Sequence, residues 1–250
     1  MESASIASSE ASTPTSSDTL PSRPYTVTPF AHACINAAGE SWQAAFDHPF
    51  VLALADGSLD AERFKFYQMQ DARYLEAFAD ATSIIASRCT DPDDKLWFIE
   101  AAQMAVVVEK ELHAGYGETL GYNVDDVAKI ELTPNNRAYQ NHMVATAHTG
   151  TLVEAVAAIT PCPWLYIELG QKLERDMGKV PDDHPYADWL EMYRDPAFNE
   201  YMQNLLERLQ RFADASDHAA RQRAKECFRL SARYEWMFWE QAWTQQEWPV

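Results

Sequence analysis

A cysteine stands between two prolines in Pro161-Cys162-Pro163-Trp164, and two acids, Asp71 and Glu235, fall within aromatic stretches. These are residue types that do chemistry when water is kept away. A thiolate attacks carbon. A carboxyl group in apolar surroundings has a raised pKa and can both give and take a proton near neutrality. At helical spacing Asp71 shares a face with Phe64, Tyr67, Tyr74, Leu75 and Phe78. Glu235 shares one with Phe228, Ser231, Phe238, Trp239 and Ala242. Tyr139, near His142 and Met143, and Tyr193, near Trp189 and Leu190, add hydroxyls beside apolar surface. Each feature alone has a plain structural explanation: a free cysteine is usually a small buried hydrophobe, and a core tyrosine usually packs. Together they outline a pocket with a nucleophile and proton donors.

The elements that must position these residues are helices. Apolar spacing is close to 3.6 residues, and no stretch alternates with period two for long enough to propose a strand. Thr28–Phe46 reads as a first helix, and one from Ala61 to about Arg88 carries Asp71, in one piece or two. Asp91-Pro92 caps and starts the next, which Gly121 ends. Residues 122–133 read as a loop, and Pro134 to about Gly150 as a helix carrying Tyr139. Thr151 with Glu154 is a capping box for a helix to Ile159, and a second piece continues to about Met177. Between them Pro161 and Pro163 break the ladder, freeing the carbonyls of Ala157 and Ile159 and pushing Cys162 away from the αR region. Asp182–Tyr193, Asp195–Ala215 and Asp217–Trp243 complete eight or nine helices. The expected fold is an all-α, single-domain helical bundle.

The totals limit the function. A net charge of −18 in 250 residues argues against nucleic acid and anionic membrane surfaces, which attract basic proteins. With 11 Tyr, 11 Phe and 8 Trp, the core or pocket should be rich in rings. The cysteines at 34, 89, 162 and 227 lie at least 55 residues apart, so neither a zinc motif nor a disulfide scaffold is indicated, and a reducing, cytoplasmic setting fits. Residues 1–28 read as a disordered Ser/Thr/Ala-rich tail, its first 22 residues without Lys or Arg, and 29–250 as one catalytic domain. No apolar run approaches the roughly 20 residues that span a bilayer. Glu109 and His113, at i and i+4, could ligate a metal, but the companion carboxylates and second His motif of a di-metal bundle are missing.

In order along residues 30–245, the chain resembles the TenA family, also called thiaminase II or aminopyrimidine aminohydrolase. The matching stretches are His48-Pro49-Phe50, Phe64-Lys65-Phe66-Tyr67 with Gln70-Asp71-Ala72-Arg73-Tyr74, Glu109–His113, Tyr139–Met143, Pro161–Tyr166, Trp189–Tyr193 and Tyr234–Trp239. The resemblance implies a haem-oxygenase-like all-α fold and a hydrolase of thiamin salvage. Such an enzyme replaces the amine of 4-amino-5-aminomethyl-2-methylpyrimidine with hydroxyl, and some members cleave thiamin. It implies Cys162 as nucleophile, Glu235 as acid and base, and Asp71 as the acceptor for the aminopyrimidine edge. It also implies Tyr74, Tyr139, Tyr193 and Phe238 as pocket residues, no metal or organic cofactor, and a homotetramer. Two other classes stay open: a haem-oxygenase-like metal-dependent oxidase using Glu109 and His113, and a protein that binds thiamin or a pyrimidine without turnover.

Overall fold

The computed structural model describes residues 23–250, apart from the side chains of residues 108–114. Among the described residues it contains twelve helices and no strand. They are α1 (Pro29–Ala38), α2 (Glu40–Ala44), α3 (Pro49–Ala55), α4 (Ala61–Arg88), α5 (Pro92–Leu120) and α6 (Val124–Lys129). Then come α7 (Pro134–Thr149), α8 (Leu152–Ile159), α9 (Pro161–Met177), α10 (Ala187–Met192), α11 (Ala197–Asp214) and α12 (His218–Thr244). The all-α expectation holds.

Helix starts are written in side chains. Asp60 accepts from the amides of Glu62 and Arg63 at the head of α4, and Asp91 does the same for α5. Thr151 and Glu154 form the expected capping box of α8. Each such cap satisfies amides that the first turn leaves without partners, contributing about 1 kcal/mol.

Three local readings need correction, and one helix was not anticipated. The first helix is two, because Gly39 at φ +58 turns the chain between α1 and α2. Residues 49–55 are helical: the His48 ring, an unusual cap, accepts from the amide of Phe50 at 3.1 Å, and Pro49 takes the first helical position. The supposed loop at 122–133 contains α6, with a capping box from Asn123 and Asp126. The helix read over 182–193 is shorter, starting at Ala187.

The proline pair also behaves differently. Pro161 is the first residue of α9, so both prolines fall in a first turn, where amides have no intrahelical partner to lose. Thr160 stays in the αR region, with φ −65 and ψ −38, and Cys162 is itself helical. The result is a near-continuous helix, Leu152–Met177, long and apolar enough to cross a membrane; 78% of its most apolar window is buried within the protein. It is the central rod of the bundle.

Helix α4 packs along α5 and α7, while α12 packs along α8, α1 and α7. Trp164, Trp189, Trp239, Tyr67, Tyr139 and Phe50 are among the largest fully buried side chains. Burying each such ring stabilises the fold by roughly 2–3 kcal/mol. Phe50 stacks on Trp239 at 5.4 Å, tying α3 to α12. The segment before α1 is also held. Arg23 donates to Glu168 of α9, the Tyr25 hydroxyl donates to the same oxygen at 2.5 Å, and Thr28 donates to the carbonyl of Leu206. Residues 23–28, assigned to the tail by composition, are therefore packed against α9 and α11. Residues 1–22 lie outside the described residues.

Candidate active site

Cys162 sits in the first turn of α9, half-buried, on the wall of a cavity of about 80 Å³. Around it the backbone is secured from the side. Thr160 Oγ1 donates to the carbonyl of Val156 at 2.7 Å, and Ser231 Oγ of α12 donates to that of Ala158 at 2.7 Å. These bonds anchor the junction between α8 and α9. Burial pushes the Cys162 thiol well above its ordinary pKa, and the charges of Glu235 and Asp71 push the same way. The nearby Tyr74 hydroxyl, which donates to Met143 Sδ at 3.3 Å, acts in the opposite direction. Without a ligand the group is a protonated thiol at neutral pH.

Glu235 lies on the inward face of α12 and is 2% exposed. Its Oε1 accepts from the hydroxyl of Tyr139 at 2.5 Å. Burial raises its pKa from 4.5 to about 8, with the Tyr139 bond lowering it and Asp71 adding to the rise. A carboxyl group poised there exchanges protons readily at physiological pH. Tyr74 and Tyr139 lie 4.9 Å apart, ring to ring. Cys162, Tyr74, Tyr139 and Glu235 therefore lie close together, with Tyr139 hydrogen-bonded to Glu235 and Tyr74 to Met143. Phe238 backs them, 5.4 Å from Tyr74 and 6.1 Å from Tyr67.

Asp71, 5% exposed, reaches the cavity from α4, and its charge is felt by Cys162, Glu235, Tyr166 and Tyr193. Tyr193 closes the cavity from the end of α10. It can do so because position 170 is glycine: a Cβ there would lie 2.8 Å from the Tyr193 carbonyl carbon and closer still to its oxygen. The missing side chain lets α10 seat directly on α9.

All seven residues expected at the site come together, in two layers. Cys162, Asp71 and Tyr193 line the cavity, whereas Glu235, Tyr74, Tyr139 and Phe238 form the packed layer around it. Sequence reading missed several others. Tyr166, whose hydroxyl accepts from that of Tyr67 at 3.1 Å, lines the cavity one turn beyond Cys162. Met104 of α5, and Phe198 and Tyr201 of α11, line its far side. Their only signal was weak: the Ala101/Ala105 pair at i, i+4 on α5, and aromatics three apart just after Pro196. The side chains of Glu109 and His113, considered as metal ligands, lie outside the described residues. His142 is structural, its Nε2 hydrogen-bonded at 3.2 Å to the carbonyl of Cys227.

The model of the TENA/THI-4/PQQC family matches residues 36–245. A protein of Bacillus subtilis (strain 168) described as aminopyrimidine aminohydrolase is 33% identical over 221 residues, covering 88% of this chain and 92% of that protein. The solved structure of a TenA homologue from P. horikoshii OT3 superposes with a TM-score of 0.75 at 33% identity, covering 86% of this chain and 98% of that one. A domain from Shewanella denitrificans OS217 described as having a heme oxygenase-like fold superposes at 0.68 with 12% identity, covering 88% of this chain and 94% of that one. The last likeness concerns the fold alone, and it bears out the haem-oxygenase-like bundle.

Proposed function

Because the chain belongs to the TENA/THI-4/PQQC family, we propose that it is a hydrolase of thiamin-derived aminopyrimidines, working through Cys162 and Glu235. The reaction exchanges the amine on the pyrimidine methylene for hydroxyl, in thiamin salvage. The observation that carries this reading is the closeness of Cys162 to the buried Glu235, whose carboxylate accepts from Tyr139 at 2.5 Å, at the edge of an aromatic cavity.

Direct displacement at the methylene is slow because the aromatic ring offers little push. Attack of Cys162 on the ring removes that obstacle. As Sγ bonds to a ring carbon, Glu235 gives its proton to a ring nitrogen and takes up the thiol proton. The ring's electrons then expel the amine from the methylene, which leaves with the proton that Glu235 took from the thiol, and the carboxylate recovers the proton from the ring nitrogen. Water adds at the methylene, and finally the carbon–sulfur bond breaks and the thiol re-forms. Glu235 acts in every step, in alternating directions, which a pKa of about 8 suits. Asp71 accepts from the exocyclic amino group and fixes the ring edge, and Tyr166 and Tyr193 supply stacking surface. The exposed apolar residues Leu96, Ile99, Val106 and Val107 of α5 support a homo-oligomer, for which the homotetramer is the proposed form, checked by light scattering.

The test is ammonia release from 4-amino-5-aminomethyl-2-methylpyrimidine, with the hydroxymethyl product identified. Wild type is expected to turn over catalytically, and Cys162→Ala to lose at least about 10³-fold in kcat. Undiminished release by Cys162→Ala would sink the cysteine mechanism.

A further inference from the structure

Two helices that carry site residues are tied together by side-chain amides as well as by rings. On α7, Asn136 Nδ2 donates to the carbonyl of Gln70 at 2.8 Å, and Gln140 Nε2 donates to the carbonyl of Arg73 at 3.0 Å. Those α4 carbonyls belong to the residues just before Asp71 and Tyr74. A helical carbonyl already accepts from the amide four residues on, so each of these bonds uses its second lone pair. Asn136 Nδ2 also donates to Gln70 Oε1 at 2.8 Å, and Gln140 Nε2 to Asn136 Oδ1 at 3.0 Å. Each amide nitrogen thus meets two oxygens, which fixes its orientation. Gln70 Nε2 donates in turn to the carbonyl of Glu131 at 2.8 Å. Gln70 and Asn136 are fully buried. At the head of α7, Thr133 donates to buried Gln241 of α12, so this end of the bundle also reaches the helix that carries Glu235.

These bonds restrain a motion that the rings leave soft. Apolar contact is non-directional and permits sliding, whereas a hydrogen bond to a fixed backbone oxygen does not. A helix rises about 1.5 Å per residue, so a slide of α7 by less than one residue would break the 2.5 Å bond from Tyr139 to Glu235. Asn136 lies nearly one turn before Tyr139, and Gln140 follows it directly, so the two amides bracket that tyrosine.

We propose that Asn136 and Gln140 are positioning residues: their bonds to the α4 carbonyls of Gln70 and Arg73 fix the axial register of α7, and that register holds the Tyr139 hydroxyl on the Glu235 carboxyl. Neither residue lines the cavity, and both act through Tyr139. Among the described residues, the other titratable groups that interact with Glu235 are Asp71 and Tyr74 of α4, Cys162 and Tyr166 of α9, and Tyr193. A substitution at 136 or 140 replaces none of them.

The experiment follows the Glu235 titration by carbon-13 NMR of the full-length protein with labelled glutamate carboxyls, the signal being identified by its loss in Glu235→Gln. Wild type is expected to titrate at about 8. Gln140→Met, which keeps the side chain's length at a half-buried position, is expected to raise that midpoint by about 0.5 or more, and Asn136→Leu by more. In turnover of the aminomethylpyrimidine, both should lower kcat by about fivefold or more, with KM within about threefold. Added to Tyr139→Phe, Gln140→Met should move the midpoint no further. Arg88→Met is the control. It cuts bonds between the same two helices, to the carbonyls of Ala147 and Gly150, about 21 Å along α4 from Tyr74, and should leave the midpoint in place. Should Asn136→Leu fail to fold, Gln140→Met decides alone. A lowered Tm with an unmoved midpoint and kcat would make the amides packing groups and overturn the proposal. So would a shift that persists in Tyr139→Phe, or an equal shift from Arg88→Met. The kinetic arm rests on the hydrolase reading and the titration does not: a wild type that releases no ammonia overturns that reading, while the titration still decides this one.

Discussion

The hydroxyl of Tyr139 donates to Oε1 of Glu235 across 2.5 Å, joining α7 to α12 inside the core. It is a strong bond, and it steadies a carboxyl group that burial pushes toward its protonated form. The carboxyl's orientation and its pKa thus depend on one neighbour.

Removing that neighbour moves the pH profile in a defined direction. The Tyr139 bond lowers the Glu235 pKa against the rise from burial, so its loss raises the pKa above about 8. Activity that requires protonated Glu235 should fall above about pH 8 in wild type. In Tyr139→Phe that alkaline limb should move to higher pH, with kcat lowered by about 10-fold or more from lost orientation. A kcat/KM profile from pH 6 to 10 reads both effects, and an unmoved limb would show that another group titrates.

Glu235 should also cost the protein stability as pH rises. Its pKa goes from an ordinary 4.5 in the unfolded chain to about 8 in the fold, so between those values the folded state binds more protons than the unfolded chain. Stability is then complete below about pH 4.5 and declines as pH rises through about 8. Glu235→Gln keeps the shape without the charge. It should abolish turnover, flatten the decline, and raise Tm at pH 8 by several degrees. Thermal melts of both proteins between pH 5 and 9 decide this, and parallel curves would refute it.

Glu168 of α9 organises the opposite flank. It accepts from Arg23, from the Tyr25 hydroxyl at 2.5 Å and from the Trp164 indole at 3.2 Å, and its side chain is 12% exposed. Glu168→Ala leaves Arg23 and the Tyr25 hydroxyl without this acceptor, while the Trp164 indole keeps the Tyr25 oxygen at 3.0 Å, at an expected cost of about 2–4 kcal/mol in a denaturant melt. Tyr25→Phe removes one of them and should cost about 1 kcal/mol.

Much of this was legible in the sequence because helix signals are local. Asp60, Asp91, Thr151 and Asp217 cap where their side chains say they should, and the periodicity that put Asp71 and Glu235 among rings did place them inside. What escaped depended on context. His48 caps α3 because its far ring nitrogen is held at 3.1 Å by Glu240, 192 residues away. The prolines beside Cys162 start a helix instead of breaking one, a difference set by α12 packing along the α8–α9 rod. Met104 and Tyr201 face Cys162 only once α5 and α11 close over α9, and no spacing within either helix announces that.

Gly170 shows how tightly the site depends on that closure. Inside α9 a glycine weakens the helix by about 1 kcal/mol relative to alanine, so it is retained there against local propensity. The reason lies across the interface, where an added Cβ would stand 2.8 Å from the Tyr193 carbonyl carbon and 3.0 Å from its Cβ. Neither atom moves with a side-chain rotamer, so Gly170→Ala must lift α10 and carry Tyr193 away from the cavity. Expected losses are about 1–3 kcal/mol of stability and a larger fall in kcat/KM than in any global structural measure. Gly115→Ala in α5 is the matched control: nothing lies within 4 Å of its would-be Cβ. There the helix-propensity gain stands alone, and the melt should shift upward by about 0.5–1 kcal/mol. Should Gly170→Ala behave like Gly115→Ala in melts and in turnover, the close seating of α10 on α9 would have no part in holding Tyr193.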